Sequence, residues 1–132
     1  MGEDATVTLY RPVGSEELAL IERSGFAAFP PRLPEQPIFY PVTNEGYASQ
    51  IARNWNTKAG DGVGYVTRFS VRADLLKAYE KRVVGGREHE EYWIPAEDLD
   101  AFNRNIVGPI EVVAQYTAAD RKAARNGERQ NA

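Results

Sequence analysis

Hydrophobic and polar positions alternate with period two in five separate stretches of this chain, at residues 6–11, 38–42, 64–71, 90–94 and 110–116. Alternation of that kind, carried by Val, Ile, Tyr, Phe, Thr and Trp, is the pattern of half-buried strands. It nominates Leu9, Phe39, Val66, Phe69, Trp93, Ile110 and Val112 as core. In the third stretch it sets Tyr65, Thr67 and Phe69 on one face and Val66, Arg68 and Ser70 on the other. Helical spacing takes over between the strands. Ser15 stands as an N-cap before Glu16, Glu17 and an apolar face of Leu18, Leu20 and Ile21, and Gly25 sits at the C-cap position. Thr43 or Asn44 caps a helix whose apolar positions are Ala48, Ile51, Ala52 and Trp55. Short helices are predicted at 73–79 and from Pro95 through Leu99 and Phe102.

Proline and glycine punctuate the rest. Pro12 is expected to end the first strand. Residues 26–29 read as a short strand, and Val83-Val84-Gly85-Gly86 as a brief strand and turn. Residues 30–37 hold four prolines in eight positions, which forbids helix and central strand alike. The segment reads either as a rigid connector or as a stiff cleft wall. Gly108-Pro109 turns the chain into its last strand. Beyond Ala118 apolar residues give way to Arg121, Lys122, Arg125 and Arg129, so 1–117 is expected to be a single domain and 118–132 a basic, disordered tail. Six or seven short strands and three or four short helices, without regular β-α-β alternation, argue for an α+β fold.

Composition removes several kinds of chemistry. The chain of 132 residues has no cysteine, which excludes disulfides, zinc-thiolate sites and a cysteine nucleophile. Its one histidine, His89, excludes a metal site built on two histidines. A net charge of −3 gives no field for a general nucleic-acid binder. The acidic start Met1-Gly2-Glu3-Asp4-Ala5 lacks the features of a signal peptide, and no apolar run is long enough to span a bilayer. The expectation is a cytoplasmic protein with no membrane partner.

Three strands carry a functional group that a strand does not need: Arg11, Tyr40 and Glu91. A cation, an aromatic ring and a carboxylate on separate strands suit a nucleotide-sugar cleft. Each also has a bland role. Arg11 can pair with Glu16, Glu17 or Glu91. Phe39 and Tyr40 point to opposite faces, so one is core and the other is free to stack on a flat ring. Of Glu90 and Glu91 one faces inward and one outward, or both are edge charges paired with Arg87. Asn44 and Tyr47 can face the same cleft, although Asn44 also serves as a simple N-cap. His89, two residues before Glu91, can tune that carboxylate or sit in an exposed turn. The glycine-rich run Gly60-Asp61-Gly62-Val63-Gly64 precedes a strand, with no Gly-Lys-Ser/Thr after it, and so is neither a phosphate loop nor a dinucleotide fingerprint.

Taken in order, Tyr10-Arg11, Ile38-Phe39-Tyr40-Pro41-Val42 with the helix from Asn44, and Glu91-Tyr92-Trp93-Ile94 resemble the ADP-ribosyltransferase superfamily across most of residues 7–116. The wording of residues 30–42 and 103–110 is also similar to a group of short bacterial proteins that carry an ADP-ribosylation-related name. The resemblance implies a small split two-sheet domain with short flanking helices. It implies an NAD-dependent ADP-ribosyltransferase or NAD glycohydrolase, which cleaves the nicotinamide–ribose bond and passes ADP-ribose to an acceptor, a protein among the candidates. It makes Glu91 catalytic, assigns NAD binding to Arg11, Tyr40, Asn44 and His89, and needs no metal. The chain departs from the family in having no histidine on the first strand and no Ser-Thr-Ser after the second. His89 stands where arginine-directed members carry a carboxylate or glutamine. The alternative is a non-catalytic module of the same fold that binds a protein or a nucleotide.

Overall fold

The computed structural model describes residues 5–83 and 89–120. Strands β1 (Thr6–Gly14), β3 (Val63–Arg72) and β6 (Ile106–Thr117) form one antiparallel sheet in the order β1-β3-β6. Strands β2 (Ile38–Phe39), β4 (Glu80–Val83) and β5 (Glu90–Pro95) form a second, in the order β2-β5-β4. Helices α1 (Ser15–Arg23), α2 (Glu45–Asn54), α3 (Ala73–Leu76) and α4 (Leu99–Arg104) flank them, with single 3-10 turns at Asn56–Lys58 and Ala96–Asp98. The molecule is thus mixed α+β with two small antiparallel sheets and several short helices. No helix among the described residues is long and apolar enough to cross a membrane.

Burial follows the strand alternation. Leu9 and Val13 of β1, Phe69 and Val71 of β3, Phe39 of β2 and Ile94 of β5 meet in the main core. Phe29, Phe39, Phe69 and Phe102 pack there with ring centroids 4.8–6.0 Å apart, all tilted or edge-on, the arrangement that aromatic quadrupoles favour. A second, smaller core of Val42, Ala48, Ala52 and Val66 lies under α2. Both cores draw on β3. Val66 and the next residue, Thr67, are each 0% exposed, because the pairing with β6 shifts between them. At that shift Val66 opposes Ala114 while Thr67 opposes Val112, so Val113 is the extra residue of a bulge. A clean alternation along β3 is therefore not what the chain adopts.

Two core assignments are corrected. Ile94 occupies the inward position of β5, which turns Trp93 to the opposite face, half-buried. Val112 is 42% exposed on the edge strand β6. Ile110 nearby is buried, with its N–H donating to the Phe26 carbonyl. Beyond the bulge the packing passes to Val113, Ala114 and Tyr116 against the second core.

Several element boundaries also differ. Pro12 does not end β1, which continues to Gly14. The Tyr10 N–H points away from β3 to the Val42 carbonyl at 2.8 Å. Two residues on, the Pro12 nitrogen faces the same outer side, so its missing N–H costs no ladder bond with β3. Ser15 is the first residue of α1, and Gly14 is the cap. Residues 26–29 form no strand. Phe26 follows Gly25 into the left-handed region (φ 59° and 77°), and the Asn103 side chain takes both backbone groups of Phe29 at 2.9 and 3.0 Å. The second strand stops at Phe39, and α3 ends at Leu76, short of Tyr79. Gly108-Pro109 lies inside β6, with Gly108 at φ 81° in a second register shift. Val84, Gly85, Gly86 and Arg87, and the tail from 121 onward, lie outside the described residues. Residues 118–120 are helical.

Val42 joins the two sheets. It belongs to neither, yet bridges Tyr10 of β1 and Glu91 of β5. The candidate site forms beside this junction.

Candidate functional site

Glu91 is held at the junction by two side-chain donors. In β5 it shares a face with Trp93, and the Trp93 indole Nε1–H donates to Glu91 Oε1 at 3.0 Å. Its other oxygen accepts from the Tyr47 hydroxyl at 3.3 Å. Tyr47 reaches it because Asn44 caps α2: the Asn44 side-chain oxygen accepts the Tyr47 N–H at 2.9 Å and fixes the first turn. Burial first, and then the Glu91 charge, push the Tyr47 phenol above its ordinary value, so it stays a donor through the neutral range. The His89 ring stacks on Tyr47, centroids 4.3 Å apart and planes within 10°. Glu90, the neighbouring carboxylate, points the other way, to the Thr43 hydroxyl at 2.9 Å and the Lys81 ammonium at 3.7 Å.

Arg11 comes from the other sheet. It is only 8% exposed and is held by a two-pronged pair with Glu17 of α1, Nε to Oε2 at 2.7 Å and Nη2 to Oε1 at 3.0 Å. Its guanidinium lies 4.6 Å from the centroid of the Phe39 ring. Of the partners open to it in the sequence, Glu17 is the one it takes, because α1 follows β1 directly and carries Glu17 back along the strand. Arg32, from the proline-rich segment, has a buried Nε with no partner. Burial, and then the Arg11 charge, draw its guanidinium below the ordinary value, while Glu17 and Tyr40 oppose that shift.

Arg11, Tyr40 and Glu91 line one cavity of about 380 Å³, within the size range of small-ligand sites. Pro12, Val42 and Ile51 supply its apolar surface, and Asn56 and Trp93 complete the wall. Tyr40 meets Trp93 edge-on at 5.5 Å, and the Arg82 guanidinium covers the Trp93 ring at 3.7 Å. Asn44 and His89 are not in the lining. Asn44 is spent on the α2 cap, and His89 stacks on Tyr47, the residue that donates to Glu91.

Sequence reasoning missed Asn56, Ile51 and the place of Trp93. Ile51 and Trp93 read as ordinary core, because apolar spacing cannot tell a core wall from a cavity wall. Asn56 sits in a glycine-rich turn and gave no signal. Chemically, the site offers one oriented carboxylate, one fixed cation and two aromatic rings around a half-apolar space. Among known proteins, no family model and no curated protein matches this chain.

Proposed function

We propose that this cavity binds NAD and that the protein cleaves its nicotinamide–ribose bond, passing ADP-ribose to an acceptor nucleophile or to water. The observation that carries the reading is the convergence of Arg11 of β1, Tyr40 just past β2 and Glu91 of β5 on one cavity. Their order along the chain is the one that led to the resemblance.

The chemistry follows from charge. The C–N bond breaks with its electron pair going to nicotinamide, which leaves neutral. Positive charge develops at the ribose C1′ and ring oxygen. The Glu91 carboxylate, oriented by Tyr47 and Trp93, stabilises that charge and accepts hydrogen bonds from the ribose hydroxyls. Tyr40 offers a face for the nicotinamide ring. Arg11 faces the negative part of the ligand from a position that Glu17 fixes. The acceptor then bonds to C1′ and releases its proton. No step calls for a metal.

Glu91→Gln tests the reading. It keeps shape and removes charge, so NAD binding stays close to wild type while turnover falls by roughly 100- to 1,000-fold, the scale for one such electrostatic group. Nicotinamide release from labelled NAD measures it. Equal turnover in both proteins removes Glu91 from the mechanism. Absence of NAD binding by the wild-type protein favours a non-catalytic module.

A further inference from the structure

A second cavity of about 370 Å³ opens where β1 runs into α1, and Asn56 lines it as well as the Glu91 cavity. Gly14, Ser15 and Glu16 face it from one side, and Asn56, Ala59, Gly60 and Asp61 face it from the other. Two polar atoms of its lining residues, Ser15 Oγ and Asn56 Oδ1, are buried without a hydrogen-bond partner. Native proteins leave few such atoms unmet. The hydroxyl both donates and accepts, whereas the amide oxygen only accepts. α1 has no side-chain cap at Gly14, so its first-turn N–H groups are further donors at this end.

Charge narrows the ligand. The Glu16 and Asp61 carboxylates at the same cavity oppose a phosphate, and the uncapped helix start opposes a cation. What remains is an uncharged group that both donates and accepts hydrogen bonds. There is also room for it: a Cβ placed on Gly14 or Gly60 meets nothing within 4 Å.

We infer that this second cavity is a nucleoside subsite, which takes the sugar and base of the adenosine half of the dinucleotide while the Glu91 cavity takes the nicotinamide riboside half. Asn56 is then the wall that both halves touch. The inference rests on the reading of the Glu91 cavity as an NAD site.

Titration calorimetry with NAD, nicotinamide mononucleotide and adenosine tests it. Ala59 is exposed on extended backbone (φ −124°, ψ 162°), so Ala59→Leu fills the cavity without strain. Ser15→Ala removes an unmet hydroxyl and leaves the free protein no worse packed. Melting temperatures confirm that both variants fold. Wild type is expected to bind NAD at least about tenfold more tightly than the mononucleotide. Both variants lose most of that margin, and their mononucleotide affinity stays within about twofold of wild type. Wild-type NAD affinity in both variants overturns the subsite. Adenosine binding that Ala59→Leu weakens, with neither NAD nor mononucleotide bound, keeps the subsite and overturns the NAD reading. Failure of all three ligands to bind the wild-type protein overturns both.

Discussion

Single side chains around Glu91 do work that a strand or helix alone would not require. Tyr47 donates to the carboxylate from one helix, and its own ring is stacked by His89. Because burial and Glu91 raise the Tyr47 phenol in the folded chain, the unfolded chain ionises first as pH rises. Its stabilising contribution is therefore complete below an unfolded value of about 10 and is lost as pH climbs through the higher folded value. Tyr79, raised by burial and by its 3.0 Å bond to Asp98, acts in the same direction. Urea midpoints measured from pH 8 to 11 are expected to fall in wild type. Tyr47→Phe and Tyr79→Phe should each flatten part of that fall, and an unchanged slope in both would reject the account. That Arg11, Tyr40 and Glu91 line one cavity was legible in the sequence only as three polar or aromatic groups beyond what a strand needs. The identity of the Arg11 partner was not legible, since Glu16, Glu17 and Glu91 were equal on paper and only the hand of the β1–α1 junction selects Glu17.

Elements were legible where pattern alone decides them, and less so where tertiary packing does. Each of the five alternating stretches contains paired backbone, the second only at Ile38, Phe39 and Val42, and α2 is capped by Asn44, one of the two caps the sequence offers. The misreadings share one cause, which is that local rules say nothing about what lies across the chain. Pro12 stays in β1 because its nitrogen faces an unpaired side. Residues 26–29 are pinned by Asn103, 74 residues away from Phe29 in the chain. The two shifts in β6 arise from its pairing with β3. The tightest contact between elements is equally silent in the sequence. α2 approaches β3 at Gly64, where a Cβ would overlap the Ala52 carbonyl oxygen and come within 2.9 Å of the Asn56 Cβ. Neither atom is at the end of a flexible side chain, so relief requires the helix to move. Gly64→Ala is expected to cost about 1–3 kcal/mol in urea denaturation, the range for overpacking. It should also disturb both cavities that Asn56 lines. By contrast Gly14→Ala meets open space and should cost under about 1 kcal/mol, the scale of a weaker cap. Equal costs for the two variants would show that the close approach of α2 is not what Gly64 provides.

At the scale of the whole molecule, the site exists because two sheets are held at one junction, and the hinge of that junction is Val42. Its N–H donates to the Tyr10 carbonyl at 2.8 Å, and its carbonyl accepts the Tyr10 N–H at the same distance. On the other side, the Tyr92 N–H donates to Pro41 at 2.9 Å and the Thr43 N–H to Glu90 at 3.1 Å. The Val42 side chain, 1% exposed, packs with Ala48, Ala52 and Val66 in the second core. Side chain and backbone therefore contribute separately, and two substitutions tell them apart. Val42→Ala removes buried methyl groups and should cost about 2 kcal/mol at roughly 0.8 kcal/mol per group plus a cavity term. It leaves the bridge intact but trims the apolar wall that Val42 gives the Glu91 cavity, so ligand binding there should weaken yet persist. Val42→Pro keeps an apolar side chain but deletes the donor to Tyr10, leaving a carbonyl unpaired at about 1–3 kcal/mol. That loss falls on the contact that sets Arg11 against Glu91. Val42→Pro is thus expected to release the Tyr10 and Tyr92 amides to faster hydrogen exchange and to abolish the NAD binding proposed for the Glu91 cavity under conditions where circular dichroism still reports both sheets. If Val42→Pro binds as wild type does while Val42→Ala does not, side-chain packing and not the backbone bridge holds the two halves of the site together.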